Sequence, residues 1–204
     1  MIQASYTRAL AGGVTLDGIF AMLRDLGEVR GQHPVPLVAM ASFSLVHHRT
    51  PERFIDDALR AGLAGAIVPD LPVDEAEPLA RLAADRNFKL ILLVTPTTPR
   101  DRAAEIARLS TGFLYCVSVV GITGERTQLP AGLFDQLRWL RTQTPLPLCV
   151  GFGVSTPDHV RTLRDAADGV IVGSALVRKL AAGGPSEAMV QEVGDLVQNL
   201  ADAL

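Results

Sequence analysis

The chain has 204 residues, of which 48% are hydrophobic, which is enough to bury the core of one domain. Charged residues make up 20% of the chain and the formal net charge is -3, with no basic patch, so nucleic acid is not an expected partner. The first residues lack the apolar segment of a signal peptide and no apolar run is long enough to span a bilayer, so the sequence predicts a soluble, cytoplasmic protein without membrane contact.

The predicted elements alternate along the chain. It opens with two helical patterns, at residues 2–10 and 16–29. Short, nearly continuous apolar runs follow, as is typical of strands that are covered on both faces, at residues 36–41, 65–69, 89–95, 112–118, 147–151 and 169–173. Helical patterns lie between and after these runs, at residues 51–61, 73–86, 100–109, 130–141, 156–167, 174–182 and 185–204. Cys116 and Cys149 both lie in apolar runs, which predicts buried, reduced thiols and no metal site.

This alternation predicts a parallel sheet with crossover helices. Glycine turns after the last strands, with a short helix at residues 174–182, favour a (β/α)₈ barrel over an open doubly wound sheet. A barrel of this type has eight strands and roughly 250 residues. The six apolar runs therefore predict a single, incomplete (β/α) barrel domain over residues 1–204, in which the first two strands are missing.

Three glycine turns predict a phosphate site. They read VGITG at residues 120–124, GFGVS at residues 151–155 and VGSA at residues 172–175. Glycine lets a backbone approach a ligand closely, and the N–H groups at the start of a helix attract anions. The residues that we expect to bind substrate or phosphate are Gly121, Gly124, Phe152, Gly153, Gly173 and Ser174. Two of these keep an alternative: Phe152 as a core aromatic and Ser174 as the N-cap of its own helix.

The sequence resembles a known family through several segments that occur in a fixed order. They are IQASYTRAL at residues 2–10, GAIVPDLP at residues 65–72, YCVSVVGITG at residues 115–124, GFGVS at residues 151–155 and GSA at residues 173–175. Together they are similar to the tryptophan synthase α chain over essentially all 204 residues. The resemblance implies a lyase of tryptophan biosynthesis that cleaves indole-3-glycerol phosphate to indole and glyceraldehyde 3-phosphate, without a metal or an organic cofactor. It also implies a β chain as partner, in an αββα-type complex.

The resemblance implies roles for two further residues. Tyr115 would reach into the active site, although a core tyrosine is equally compatible with its place in an apolar run. Thr123 would lie in a mobile loop that closes over the substrate and excludes water. The family's catalytic Glu and Asp match no residue of this chain, so no catalytic residue is assigned. We therefore expect the chain as printed to be impaired or inactive in cleavage, in a form that lacks the family's N-terminal part.

Asp70 follows the apolar run at residues 65–69. By resemblance it lies in a loop that faces the β chain, whereas its position before Pro72 also fits an N-cap or turn aspartate. A direct catalytic role is the less favoured reading. After the run at residues 36–41 the chain departs from the family pattern, with Ala41, Ser42, Phe43 and Ser44 in place of an aromatic residue and an asparagine, in a segment predicted as a loop.

Two other functions are compatible with parts of the sequence. The first is a non-catalytic, phosphate-binding partner that regulates a β chain. The second is another phosphate-binding barrel enzyme, which would need a lysine or metal ligands at the ends of strands. The lysines of this chain do not fit that class, because Lys89 begins a predicted strand and Lys179 lies in the short helix.

Overall fold

The computed structural model describes residues 2–29, 35–118, 130–151, 153–182 and 187–204. In these ranges the strands are β1 (Leu37–Met40), β2 (Leu63–Ile67), β3 (Lys89–Ile91), β4 (Leu93–Val94), β5 (Leu114–Val117), β6 (Leu148–Gly151) and β7 (Gly169–Ile171). The helices of the described ranges are α1 (Ile2–Ala11), α2 (Leu16–Val29), α3 (Phe43–Arg49), α4 (Pro51–Arg60), α5 (Val73–Asp85), α6 (Arg100–Leu109), α7 (Ala131–Gln143), α8 (Pro157–Leu163), α9 (Ser174–Ala182) and α10 (Glu187–Ala201).

The strands pair in chain order. β1, β2 and β3 form one sheet, and β4, β5, β6 and β7 form a second. The pairs β1–β2, β2–β3 and β6–β7 are parallel. Since a helix connects the two strands of each of these pairs, they are βα crossover units, as the alternating sequence pattern predicts.

Two predicted elements differ from the structure. The apolar run at residues 89–95 is not one strand: Leu92 divides it into β3, which pairs with β2, and β4, which belongs to the second sheet. Seven strands are therefore found in the described ranges where six were predicted. The segment after β1 is also not a loop throughout, because Phe43–Arg49 forms α3. His47 and His48 consequently lie in the last turn of a helix.

The described residues form two compact units. The first unit comprises Met1–Gly12, Val94–Thr98 and Tyr115–Leu204, and the second comprises Gly13–Leu93 and Pro99–Leu114. That the 204 residues form a single domain stays a prediction. No helix in the described ranges has both the length and the apolar composition needed to cross a membrane.

The second unit has a continuous apolar core. Phe54, Ile55 and Ala58 are buried on one face of α4, at the spacing that places side chains on the same side of a helix. They belong to a cluster that includes Phe20 of α2, Ala66 of β2 and Leu90 of β3, along with residues of α5 and α6. The amphipathic helices thus cover the β1–β2–β3 sheet.

An ion cluster lies at the edge of this core. Asp57 of α4 accepts hydrogen bonds from Arg60 and from the Nε of Arg49, the latter at 2.5 Å. Arg49 also lies 2.7 Å from a carboxylate oxygen of Asp17, and its guanidinium is 5.5 Å from the centre of the Phe20 ring. Burial alone would raise the pKa of Asp57, but the hydrogen bonds and charges of Arg49 and Arg60 outweigh it and lower that pKa. The cluster therefore connects α2, α3 and α4 through charged groups.

The core of the first unit contains the apolar face of α7. Leu133, Leu137 and Leu140 are spaced along one side of α7 and are fully buried, as are Leu148 and Val150 of β6. Asp168, directly before β7, accepts hydrogen bonds from the backbone N–H of Leu148 at 2.7 Å and from Arg141 at 2.6 Å. It thereby links the start of β7 to the start of β6 and to α7.

Candidate functional site

Four of the predicted site residues lie outside the described residues: Gly121, Thr123, Gly124 and Phe152. The others follow the carboxyl ends of strands, with the exception of Tyr115, which lies within β5. In parallel α/β folds this end of the sheet carries the binding loops. The turns after β6 and β7 leave the sheet side by side, because Gly151 pairs with Ile171 in the register of these two strands.

Gly151 makes room for Tyr115. A Cβ atom added to Gly151 would overlap the phenol ring of Tyr115, with Cε1 only 2.7 Å away. The ring is therefore seated over the backbone of β6, and the side chain is 3% exposed. Burial raises the pKa of the Tyr115 phenol to about 12, so the phenol is neutral at physiological pH and can donate a hydrogen bond, but cannot act as a base.

The turn after β6 requires glycine for a different reason. Gly153 has a φ of 85°, in the left-handed region that side chains with a Cβ rarely adopt. Behind it Thr156 is the N-cap of α8 and accepts a hydrogen bond from the N–H of His159 at 3.3 Å.

The turn after β7 has the geometry of an open helix start. The N–H of Val177 donates to the carbonyl of Gly173 at 3.0 Å, so Gly173 occupies the N-cap position and Ser174 is the first residue of α9. The alternative that Ser174 caps this helix is therefore wrong. Gly173 has no side chain to cap the first turn, and a Cβ added to it would have no heavy atom of the described residues within 4 Å.

Gly173 is a glycine that the fold itself does not explain. Its φ is not among the positive values, and the space around its Cα is open. A Cβ atom at this position would therefore meet neither a positive φ nor a heavy atom of the described residues. A ligand that closely approaches the backbone at the start of α9 would account for glycine here.

Asp70 lies in the second unit and hydrogen-bonds to the first residue of α3, a helix that the sequence did not predict. Its Oδ1 accepts a hydrogen bond from the backbone N–H of Phe43 at 2.7 Å. It does not cap α5, whose N-cap position is held by Pro72. The N-cap alternative is thus wrong for α5, whereas the turn alternative is right, because Asp70 lies in a turn. The signal for the contact that was found lies 27 residues away in the chain, beyond the reach of local sequence patterns.

Neither cysteine is suited to nucleophilic chemistry. Both carry thiols; Cys116 is buried and Cys149 half-buried. Burial raises the pKa of Cys116 to about 12, and that of Cys149 to about 11 with a smaller contribution from Asp168. Such thiols are inert at neutral pH. In the described part of the chain, no cluster of three or more His, Cys, Asp or Glu side chains could hold a metal ion.

Comparison with known proteins identifies the family. The sequence profile described as "Tryptophan synthase alpha chain" matches residues 1–204. The chain is 46% identical to the tryptophan synthase alpha chain of Rhodopirellula baltica over 217 aligned residues, which cover 100% of this chain and 77% of the relative. It is 45% identical to that of Prochlorococcus marinus, covering 100% of this chain and 73% of the relative.

Solved structures agree with this result. A chain from the tryptophan synthase α2β2 complex of the hyperthermophile Pyrococcus furiosus superposes with a TM-score of 0.88 at 33% identity, covering 98% of this chain and 79% of the other. The separately solved subunit of the same organism gives a TM-score of 0.86 at 32% identity. These proteins are TIM barrels, so the predicted fold class, an α/β fold of the (β/α)₈ barrel family, is confirmed. On the sequence and structural matches together, this chain belongs to the tryptophan synthase alpha chain family.

Proposed function

We propose that this chain binds indole-3-glycerol phosphate and serves its retro-aldol cleavage to indole and glyceraldehyde 3-phosphate. The observation that carries the proposal is Gly173, the glycine at the start of α9 that neither its φ nor its surroundings require. The positive end of the helix dipole and the N–H groups of the first turn would receive the phosphate there. Gly153, on the neighbouring strand's turn, would form the adjoining wall.

The remaining site residues take roles that follow from their chemistry. By the resemblance, Tyr115 would line the active site, where its phenol is buried and neutral. The hydroxyl of Ser174 would add a donor to the phosphate. Gly121, Thr123, Gly124 and Phe152 lie outside the described residues and are proposed as the covering loop and ligand contacts on the resemblance alone.

The first test separates a ligand role of Gly173 from a folding role. The variant Gly173→Ala should keep the free energy of unfolding within about 1 kcal/mol, since alanine is only a poorer N-cap than glycine. Its affinity for indole-3-glycerol phosphate, measured by calorimetry, should fall about tenfold or more through lost contacts to a charged group. Gly194→Ala is the matched control, because Gly194 also has open space around its Cα but lies within α10. Equal affinity in both variants would contradict the phosphate site.

The cleavage chemistry requires more than phosphate binding. A proton must reach C3 of the indole, and a base must remove the proton of the glycerol hydroxyl as the carbon–carbon bond breaks. The carboxylates that the resemblance assigns to these steps match no residue among the 204, and Asp70 is engaged by the N–H of Phe43. We therefore propose that the polypeptide as printed binds substrate but cleaves it poorly.

An assay of indole release tests this second part. The 204-residue polypeptide should release indole from indole-3-glycerol phosphate at least about 10²-fold more slowly than the Rhodopirellula baltica relative, because the contribution of one acid–base group is of that size. Indole release at the rate of the relative would show that another carboxylate performs the proton transfers.

The alternative function is regulatory. The P. furiosus relative was solved in an α2β2 complex that shows mutual activation, and we propose a β chain as the partner of this chain also. A non-catalytic chain would change the rate of the reaction that the β chain catalyses without releasing indole itself. Addition of saturating polypeptide to the P. furiosus β chain, with indole release measured in parallel, distinguishes the two functions. A purely regulatory partner alters the β reaction and releases no indole, whereas a cleaving chain releases indole at a slow but measurable rate.

A further inference from the structure

The carboxylate of Asp70 joins two loops at one edge of the β1–β2–β3 sheet. Asp70 lies three residues beyond the end of β2, and Phe43 lies three residues beyond the end of β1. The strands end in register, since Met40 pairs with Ile67 and the N–H of Ala41 donates to the carbonyl of Ile67 at 3.0 Å. The 2.7 Å bond from the N–H of Phe43 to Oδ1 of Asp70 thus bridges the two segments just beyond their last shared backbone contact.

This bond supplies something that the local sequence of α3 does not. Phe43 is the first residue of α3 and Ser42 is its N-cap, whose hydroxyl oxygen accepts from the N–H of Ser44 at 3.2 Å. The N–H of Phe43 has no carbonyl partner within the helix, as is general for a first-turn N–H. Asp70 satisfies it from the neighbouring loop, and its negative charge also suits the start of a helix.

We propose that Asp70 is a positioning residue, which holds the β1–α3 loop next to the β2–α5 loop by accepting a hydrogen bond from the N–H of Phe43. In this role the side chain acts through its acceptor oxygen, and its charge is secondary. An effect of this bond on partner binding rests on the proposed function. Both loops follow the carboxyl ends of parallel strands, where substrate and partner contacts form. A partner would then recognise the shape of the joined loops and not the carboxylate alone.

Two substitutions break the bond from its opposite ends. Asp70→Ala removes the acceptor. Phe43→Pro removes the donor N–H, and proline suits the first position of a helix. The preceding residue suits this change, because Ser42 has φ -65° and ψ 144°, the extended conformation that a residue before proline prefers. Phe43→Ala is the control that removes the ring and keeps the N–H, and Asp70→Asn keeps an acceptor oxygen without the charge.

The first readout is the Phe43 amide itself, followed by NMR. Exchange of this amide with solvent should be about tenfold faster in Asp70→Ala than in the unmodified chain, and within about threefold of the unmodified chain in Asp70→Asn. Equal exchange in the unmodified chain and in Asp70→Ala would overturn the proposal, whatever the chain's function.

The second readout is affinity for the P. furiosus β chain. Asp70→Ala and Phe43→Pro should weaken binding by a similar factor of about five to ten. The double variant should be no weaker than either single variant, because both remove one bond. Asp70→Asn and Phe43→Ala should bind within about twofold of the unmodified chain.

The opposite pattern would assign Asp70 a direct, charge-dependent contact with the partner. In that pattern Asp70→Asn is as weak as Asp70→Ala while Phe43→Pro binds normally, and the positioning role is refuted. Absence of any β-chain binding by the unmodified chain would count against the proposed partner, whereas the amide exchange would still decide the role of Asp70.

Discussion

Replacing Gly151 with alanine is expected to lower the free energy of unfolding by about 3 kcal/mol. The added methyl group would overlap the phenol ring of Tyr115, which is 3% exposed and would have to shift within a packed environment. Urea unfolding followed by circular dichroism measures the loss. A change within about 1 kcal/mol would mean that the Tyr115 ring can leave its seat at little cost.

A double-variant cycle tests the cause of this loss. Tyr115→Val is destabilising by itself because it leaves a cavity. If the ring is what the methyl group meets, Gly151→Ala should cost about 2 kcal/mol less in the Tyr115→Val background than in the unmodified chain. Additive losses would place the clash elsewhere.

The phenol provides an independent readout of the same substitution. The chain has two tyrosines, and Tyr6 is exposed. In a Tyr6→Phe background the absorbance titration therefore reports the phenol of Tyr115 by itself. Since burial raises the pKa of Tyr115 to about 12, a ring displaced by Gly151→Ala should titrate closer to its ordinary value of 10. An unchanged titration would show that the ring stays buried.

Removing the carboxylate of Asp57 is the second change with a large expected effect. Asp57→Ala should lower the free energy of unfolding by about 3 kcal/mol, because among the described residues it leaves Arg49, at the edge of the core, with the exposed Asp17 as its one ionic partner. Asp135→Ala is the matched control: it also removes an aspartate bound to an arginine on a helix, but both side chains of that pair are exposed. The control should change stability by less than about 0.5 kcal/mol.

The pH dependence of this effect has a defined sign. Since folding lowers the pKa of Asp57, its contribution is fully present above the ordinary value of 3.8 and is lost as the pH falls through the lower pKa of the folded state. The stability difference between the unmodified chain and Asp57→Ala should therefore shrink below about pH 4. A difference that stays constant down to pH 2 would contradict the ionic origin of the effect.

The sequence predicted the alternation of strands and helices well because apolar runs and amphipathic periods are local signals. It failed at α3, whose seven residues (FSLVHHR) include only two strong helix formers, Leu45 and Arg49, and whose first N–H is satisfied by Asp70 from the next loop. It also failed to divide the run at residues 89–95, since a change of sheet at Leu92 is decided by strand pairing and not by composition.

The site shows the same limit in its glycines. Gly151, Gly153 and Gly173 look alike in sequence, as glycines at the ends of apolar runs. The structure separates them. A Cβ atom at Gly151 would overlap a neighbouring ring, and Gly153 has a left-handed backbone. Gly173 has no positive φ, and a Cβ atom there would meet no heavy atom of the described residues. Only three-dimensional neighbours and dihedral angles carry this distinction.

That distinction gives a molecular criterion for tracing decay of activity among related genes. A copy released from selection for ligand binding, but still required to fold, would keep Gly151 and Gly153 and could replace Gly173 with a residue that has a side chain. Drift at that codon, with Gly151 and Gly153 retained, would thus record the loss of the ligand before any loss of the protein itself.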